Sequence, residues 1–182
     1  MRHAGFGKAV SDTIWSTAFL LTEIVSISAV VKVIISTIKN EGKTMLSELV
    51  HVNWIAVLVA TLASSALGGP WFGLIMAKPY AASLGRTYDP SHKPGPLFIV
   101  GPLVCALIIN LTSAAFIGAL NLQTFGAAAV FGLIVGVGYL TATLTNIAIN
   151  PNMPHPFRYA AINAPYFILS SIIAALIIVA FG

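Results

Sequence analysis

The sequence predicts an all-α protein, a polytopic transmembrane helix bundle with a four-helix core and one additional N-terminal helix. Charged residues avoid long apolar stretches: Asp, Glu, Lys and Arg are absent between Glu48 and Lys78, between Lys93 and Arg158, and after Arg158. Apolar runs of about 20 residues are typical of membrane-spanning helices. The composition agrees, because 58% of the 182 residues are hydrophobic and 8% are charged, whereas roughly a quarter of the residues in soluble domains are charged.

Five spans follow from this pattern, and polar or proline-rich breaks separate them. The spans are predicted over residues 11–38, 53–76, 96–120, 124–149 and 157–181. The breaks are predicted over residues 39–43, 78–95, 121–123 and 150–156, where glycine, proline and charged or amide side chains are concentrated. The chain therefore divides into an N-terminal helix with its linker, residues 1–52, and a four-helix membrane domain, residues 53–182.

The distribution of basic residues predicts the orientation in the bilayer. With the N-terminus inside, the outer loops carry only Lys39 and Lys43. The inner side then collects Arg2, Lys8, Lys78, Arg86, Lys93 and Arg158. Because Lys and Arg are enriched in inner loops, the N-terminus is predicted inside and the C-terminus outside. If the first helix lies on the membrane surface instead, four spans remain with the same loop orientation.

The first predicted span contains two charged residues, Glu23 and Lys32. They are separated by about 13.5 Å along a helix axis and lie on opposite faces, so they do not pair with each other. Lys32 can extend to the nearby interface. Glu23 lies nearer the middle of the span, where it is either a proton or ion contact or a structural, hydrogen-bonded glutamate.

Uncharged polar residues form the other candidate site within the spans. Asn110 lies in the middle of the third predicted helix, Asn146 late in the fourth and Asn163 early in the fifth. Amides in hydrocarbon seek partners, so the sequence predicts a contact between Asn146 and Asn163 across the short loop. Such bonds are worth about 0.6 kcal/mol on average. The same residues could instead line a polar path through the membrane.

Small residues recur at helix-packing intervals in two predicted spans. Gly68, Gly69 and Gly73 lie in the second helix, and Gly132 and Gly136 lie in the fourth. Small residues at such intervals allow helix backbones to approach closely in lipid. They predict contact, either within one chain or between chains.

Two prolines within predicted spans mark irregular backbone. Pro70 is expected to bend the second helix near its inner end. Pro165 has no N–H group and is expected to free a carbonyl about one turn earlier, near Ala161.

Several classes of function are disfavoured. The basic residues are scattered over termini and loops, which argues against nucleic acid as a partner. The histidines show no metal-ligand spacing, the spans hold no pair of carboxylates, and no phosphate-binding glycine loop is present. Cys105, the single cysteine, allows no disulfide within the chain. The sequence therefore predicts a membrane protein that is not an enzyme and that needs no cofactor or metal.

The chain from Asn53 onward resembles domain-of-unknown-function family 1761, a family of membrane proteins. The resemblance rests on four segments, which are 53–60 (NWIAVLVA), 68–73 (GGPWFG), 138–146 (GYLTATLTN) and 163–166 (NAPY). It implies a compact four-helix membrane unit and no established activity. The family pattern usually has tyrosine where Phe72 stands here, and residues 1–52 lie outside the resemblance.

Two functions remain open at this point. The leading expectation is a non-enzymatic membrane protein that acts by assembly, as a homo-oligomer or as an accessory subunit in the lipid bilayer, because small-residue faces occur without catalytic groups. The alternative is a small transporter or channel that uses Glu23, Asn110, Asn146 and Asn163.

Overall fold

A computed structural model describes residues 51–91 and 95–182, together with scattered positions between 28 and 47. The chain divides into two compact units, Met1–Thr44 and Met45–Gly182. In the first unit the described positions are helical. Most of the predicted N-terminal helix, with Glu23, lies outside the described residues, and the predicted division after residue 52 stays a prediction. The architecture below is that of the second unit.

The structure gives bounds for five helices in this unit, and its described residues include no strand. The four long helices are α1 (Trp54–Ile75), α3 (Leu97–Ala119), α4 (Phe125–Ala148) and α5 (Pro156–Phe181), and the short helix is α2 (Ala77–Ser83). All four long helices are long and apolar enough to cross a membrane. Their bounds lie within one residue of those predicted, because the hydropathy pattern marks where each span meets polar sequence.

The short helix α2 corrects the prediction of an irregular loop over residues 78–95. Pro79 lies in the first turn of α2, where a missing N–H costs nothing. The helix ends at Ser83 with Leu84 as its C-cap, and the next residue, Gly85, has a φ of 69°, the left-handed conformation that glycine adopts readily. Proline and glycine therefore mark the two ends of a helix here, rather than a segment without structure.

Helix α5 is the centre of the unit. It packs against α1, α3 and α4, and α1 also packs against α3. By contrast, α3 and α4 do not pack against each other along their lengths. This is unexpected, because a short connection, residues 120–124, joins them. The buried core is built largely from small side chains, so the backbones approach closely. Its members are Val57, Ala60, Ala114, Ile117, Ala128, Ala174, Ala175 and Ile178.

Two helices contain π-helical segments. In α1 the α-helix runs over Trp54–Pro70 and continues as a π turn over Trp71–Ile75, where the N–H of Met76 donates to the carbonyl of Trp71 at 2.8 Å. The irregularity expected at Pro70 thus takes this form. In α4 the π segment is Val135–Thr141. Helix α5 continues through Pro165.

Candidate functional site

A buried polar cluster joins three helices in the middle of the unit. The Nδ2 of Asn110 in α3 lies 3.3 Å from the Oγ1 of Thr61 and 3.5 Å from the Oγ of Ser64, both in α1. The hydroxyl of Tyr166 in α5 donates to the carbonyl of Ser64 at 3.4 Å. We call these four residues the Asn110 cluster. Asn110 is only 3% exposed, so the cluster satisfies an amide that would otherwise be unpaired in apolar surroundings.

Local helix geometry arranges the cluster. Thr61 and Ser64 are three residues apart and so lie on one face of α1. The hydroxyl of Thr61 donates to the carbonyl of Val57 at 2.7 Å, which leaves its oxygen able to accept from Asn110. One turn further on, Gly68 makes room for Tyr166, because a Cβ at Gly68 would lie 3.2 Å from the tyrosine hydroxyl.

The predicted hydrogen bond between Asn146 and Asn163 is not present, although both residues lie in the described part of the chain. The Nδ2 of Asn163 donates to the carbonyl of Tyr159, one turn earlier in its own helix, at 2.7 Å. Asn146 is exposed near the end of α4. The prediction was wrong because Asn163 finds an acceptor in its own helix, and Asn146 lies near the helix end. Of the predicted polar residues that the structure describes, only Asn110 joins two helices.

The small residues of α4 bring its backbone against α5. A Cβ at Gly132 would lie 2.6 Å from the Cα of Ile172 and 2.7 Å from the carbonyl oxygen of Ser171. A Cβ at Gly136 would lie 2.8 Å from the Cα of Ile168. Glycine is therefore required at both positions for α4 and α5 to pack as they do.

The π segment of α4 ends at Thr141, and its side chain is unusual. The Oγ1 of Thr141 is buried and has no hydrogen-bond partner among the described residues. The carbonyl of the same residue accepts from the Oγ1 of Thr145 at 2.7 Å. Because π turns in α-helices frequently lie at functional sites, this hydroxyl is a further candidate residue. In the sequence, Thr141 is one of three threonines in residues 141–145 that join the polar residues late in the fourth predicted helix, and nothing there distinguishes it from the other two.

Two glycines of α1 have a different environment. Gly69 and Gly73 are exposed, and a Cβ built at either one meets no atom within 4 Å. Within the described unit these small residues therefore make no close helix contact. Ala66, also exposed, lies on the same face, so this face of α1 presents a stripe of small residues to the membrane.

Aromatic side chains cluster at the end of the unit that carries Lys78, Arg86 and Arg158, which we call the basic end. The ring of Phe72 lies edge-on to Tyr80 and to Tyr166, with centroids 5.3 and 5.1 Å apart. The rings of Tyr80 and Tyr159 have centroids 5.7 Å apart. These contacts fix α2 against the beginning of α5. Sequence alone gives no indication that Tyr80 and Tyr159 meet, because they belong to different helices.

Burial shifts the ionisation of one of these tyrosines. Burial, reinforced by the neighbouring Tyr159, raises the pKa of Tyr80 to about 12, while the positive charge of Arg86 acts in the opposite direction. Tyr80 therefore keeps its proton at physiological pH and remains a hydrogen-bond donor.

Trp71 joins α1 to α5 at the same end. Its indole N–H donates to the carbonyl of Ile162 at 3.1 Å. Ile162 lies next to Ala161, the position at which Pro165 was expected to free a carbonyl. The indole thus contacts α5 one residue from the carbonyl that Pro165 leaves without its helical donor.

A hollow of about 510 Å³ opens at the opposite end of the unit, where α1 begins and α3 and α5 end. Its polar lining residues are His51, Asn53, Asn121 and Gln123. The amides are already engaged, since Asn53 caps α1 and Gln123 donates to the Oδ1 of Asn121 at 2.8 Å. Within the described lining, His51 is the single ionisable side chain. The described residues also contain no group of three or more His, Cys, Asp or Glu that could hold a metal ion.

Four apolar helices around a buried polar cluster define a multi-pass helical membrane protein. The chain belongs to the family described as "Protein of unknown function (DUF1761)", whose model matches residues 55–179. The match covers all four long helices almost completely and confirms the resemblance found in the sequence. No curated protein and no solved structure matches the chain.

Proposed function

We propose that this chain acts by assembly in the membrane, as a homo-oligomer or as the accessory subunit of a membrane-protein complex, and that it is not an enzyme. The exposed stripe of Ala66, Gly69 and Gly73 on α1 carries the proposal. Elsewhere in the unit, Gly132 and Gly136 show how such residues work, because they allow direct backbone contact with α5. An equivalent surface on α1 that faces outward suits a helix from another chain.

The arrangement of α3 supports the same proposal. Only 11% of its most apolar segment is buried within the unit, and α3 leaves α4 uncovered along its length. The four spans therefore form an open arrangement around α5, not a closed bundle. A second protein that fills the open side would add helix contacts that the described residues do not make among themselves.

The orientation and surroundings belong to the same proposal. Lys78, Arg86 and Arg158 all lie at the basic end, and basic loops favour the inner side of a membrane. We therefore propose that the basic end lies inside, and that the hollow and the C-terminus lie outside. The lipid bilayer and the other subunits are then the partners of the chain.

Native mass measurement in mild detergent tests the assembly. We expect the protein to have a mass that is a multiple of 19.1 kDa, or to hold another membrane protein in a fixed ratio. The double variant Gly69→Leu/Gly73→Leu is expected to weaken that association at least tenfold, or by about 1.4 kcal/mol. The reason is that leucine prevents close approach, while the open space around both positions leaves the fold of the chain intact.

The matched control is Gly126→Leu, because Gly126 in α4 also has open space around it. This variant is expected to keep the native mass. A native protein that is a monomer without a partner would contradict the proposal. Equal loss of association in the control and in the double variant would place the interface somewhere other than α1.

A transport function is the second candidate, and the Asn110 cluster favours it because it puts hydrogen-bonding groups in the middle of the bilayer. We expect a transporter in liposomes to pass protons, detected with an enclosed pH-sensitive dye under an imposed membrane potential. Glu23→Gln and Asn110→Leu should then reduce the flux, whereas Asn146→Leu, at an exposed position, should keep it. Proton flux equal to that of protein-free vesicles, or unchanged in both variants, would count against transport.

A further inference from the structure

Three basic residues lie in or directly beside α2 and α5, the two helices that meet at the contact between Tyr80 and Tyr159. Lys78 lies in the first turn of α2, Arg86 lies directly beyond its last turn, and Arg158 immediately precedes Tyr159 in α5. All three side chains are exposed. Because α2 follows the end of the α1 span after a single residue, this surface lies where the membrane core gives way to the headgroup region.

The backbone fixes Arg86 in this position. The N–H of Arg86 donates to the carbonyl of Ala81 at 3.0 Å, and the N–H of Gly85 donates to the carbonyl of Ala82 at 3.1 Å. This pair of bonds, with Gly85 in the left-handed conformation, is a Schellman motif. It holds Arg86 near enough to Tyr80 for the guanidinium to lower the pKa of that tyrosine. Arg86 therefore lies close to Tyr80, directly beyond the end of α2.

Among the described residues, no carboxylate neutralises the charges at this surface. In residues 51–91 and 95–182, none of the three basic side chains forms a salt bridge with a carboxylate. The rings of Tyr80 and Tyr159 have centroids 5.7 Å apart, both side chains are half-buried, and Tyr159 directly follows Arg158 in α5. The surface therefore combines strong positive charge with neutral donors, which is the combination that phosphate groups bind.

We propose that Lys78, Arg86 and Arg158, with the hydroxyls of Tyr80 and Tyr159, form a binding site for a phosphate group at the membrane interface. Two sources can supply it, namely the headgroup of an anionic phospholipid and dissolved inorganic phosphate. Both offer the same oxygen acceptors to the guanidinium and ammonium groups. The site is independent of assembly through α1, since it involves none of the small residues of that helix.

Lipid retention in native mass spectrometry tests this site. Each basic residue near an anionic surface strengthens binding by about fivefold, so three together contribute roughly 100-fold. We expect the native protein to retain phosphatidylglycerol in preference to phosphatidylcholine. The triple variant Lys78→Gln/Arg86→Gln/Arg158→Gln should lose this preference, and Arg86→Gln alone should weaken it about fivefold. The single variant keeps the test valid if the triple variant folds poorly.

The control is Lys32→Gln/Lys39→Gln, which removes basic residues of the other unit and should leave phosphatidylglycerol retention unchanged. Titration with inorganic phosphate distinguishes the two sources. If phosphate displaces the lipid, the site takes phosphate from either source; if it does not, the site is specific for the headgroup. Equal retention of both lipids with no phosphate binding would overturn the proposal, and so would equal losses in the control and the triple variant.

Discussion

Replacement of Gly132 by alanine is expected to destabilise the bundle strongly. The new Cβ would lie 2.6–2.8 Å from the Cα and N of Ile172 and the carbonyl oxygen of Ser171. These are backbone atoms, which cannot rotate away as a side chain can, so α4 must move away from α5. Overpacking of this kind costs about 1–3 kcal/mol, and the loss exceeds the gain of roughly 1 kcal/mol that alanine brings in a helix.

Gly138 provides the matched control, because it lies in the same helix and has open space where its Cβ would be. Gly138→Ala is expected to leave the stability unchanged or to raise it, because alanine has a higher helix propensity than glycine. The stability of both variants is measured by the midpoint of thermal unfolding in mild detergent. In a chain of this size, each kcal/mol of lost stability lowers that midpoint by about 2–4 °C. If Gly132→Ala unfolds at the same temperature as Gly138→Ala, the backbone of α4 does not lie against that of α5 at Gly132.

The helices were predictable because their signal is local. Each span is a long apolar run, and polar or proline-rich sequence ends it, so the bounds of α1, α3, α4 and α5 could be predicted to within one residue. The short helix α2 was missed because it is neither long nor apolar. Its ends carry proline and glycine, and the same residues are typical of irregular loops.

Partners in space were much less predictable than helices. Asn110 was recognised as a buried amide, but its partner Thr61 was not, because hydroxyl groups are common in membrane helices and sequence does not show which face meets which. Asn163 is the opposite case, since a plausible partner existed across the loop and its own helix supplied the acceptor instead. Hydropathy determines which residues enter the membrane, whereas the choice of partner depends on how the helices rotate and pack.

The glycines illustrate the same limit in the case of packing. Sequence spacing treated Gly73 and Gly132 alike, yet one lies open and the other lies against the backbone of α5. The difference arises because α5 lies at the centre of the unit. The small residues of α4 face α5, whereas Gly69 and Gly73 of α1 lie on the outer face. No pattern within one helix contains that information.

Replacement of Asn53 by alanine is the second change expected to have a large effect. The Oδ1 of Asn53 accepts from the N–H groups of Ile55 and Ala56 at 3.1 and 3.2 Å, which caps α1. Its Nδ2 donates to the carbonyl of Phe181 at 2.9 Å and so joins the start of α1 to the end of α5. Loss of a cap costs about 1 kcal/mol, and loss of the second bond adds about 1 kcal/mol.

Two further variants separate these contributions. Asn53→Ser retains a capping oxygen but is too short to reach Phe181, so it should lose about half as much stability as Asn53→Ala. Asn146→Ala, at an exposed amide, should leave the midpoint of thermal unfolding unchanged. If Asn53→Ala and Asn53→Ser lose the same amount, the bond to Phe181 accounts for the whole effect. If neither variant differs from the native protein, Asn53 contributes nothing to the joining of the first and last spans. The intermediate result that we expect would show that one amide both starts α1 and holds it to α5, the helix on which the unit is built.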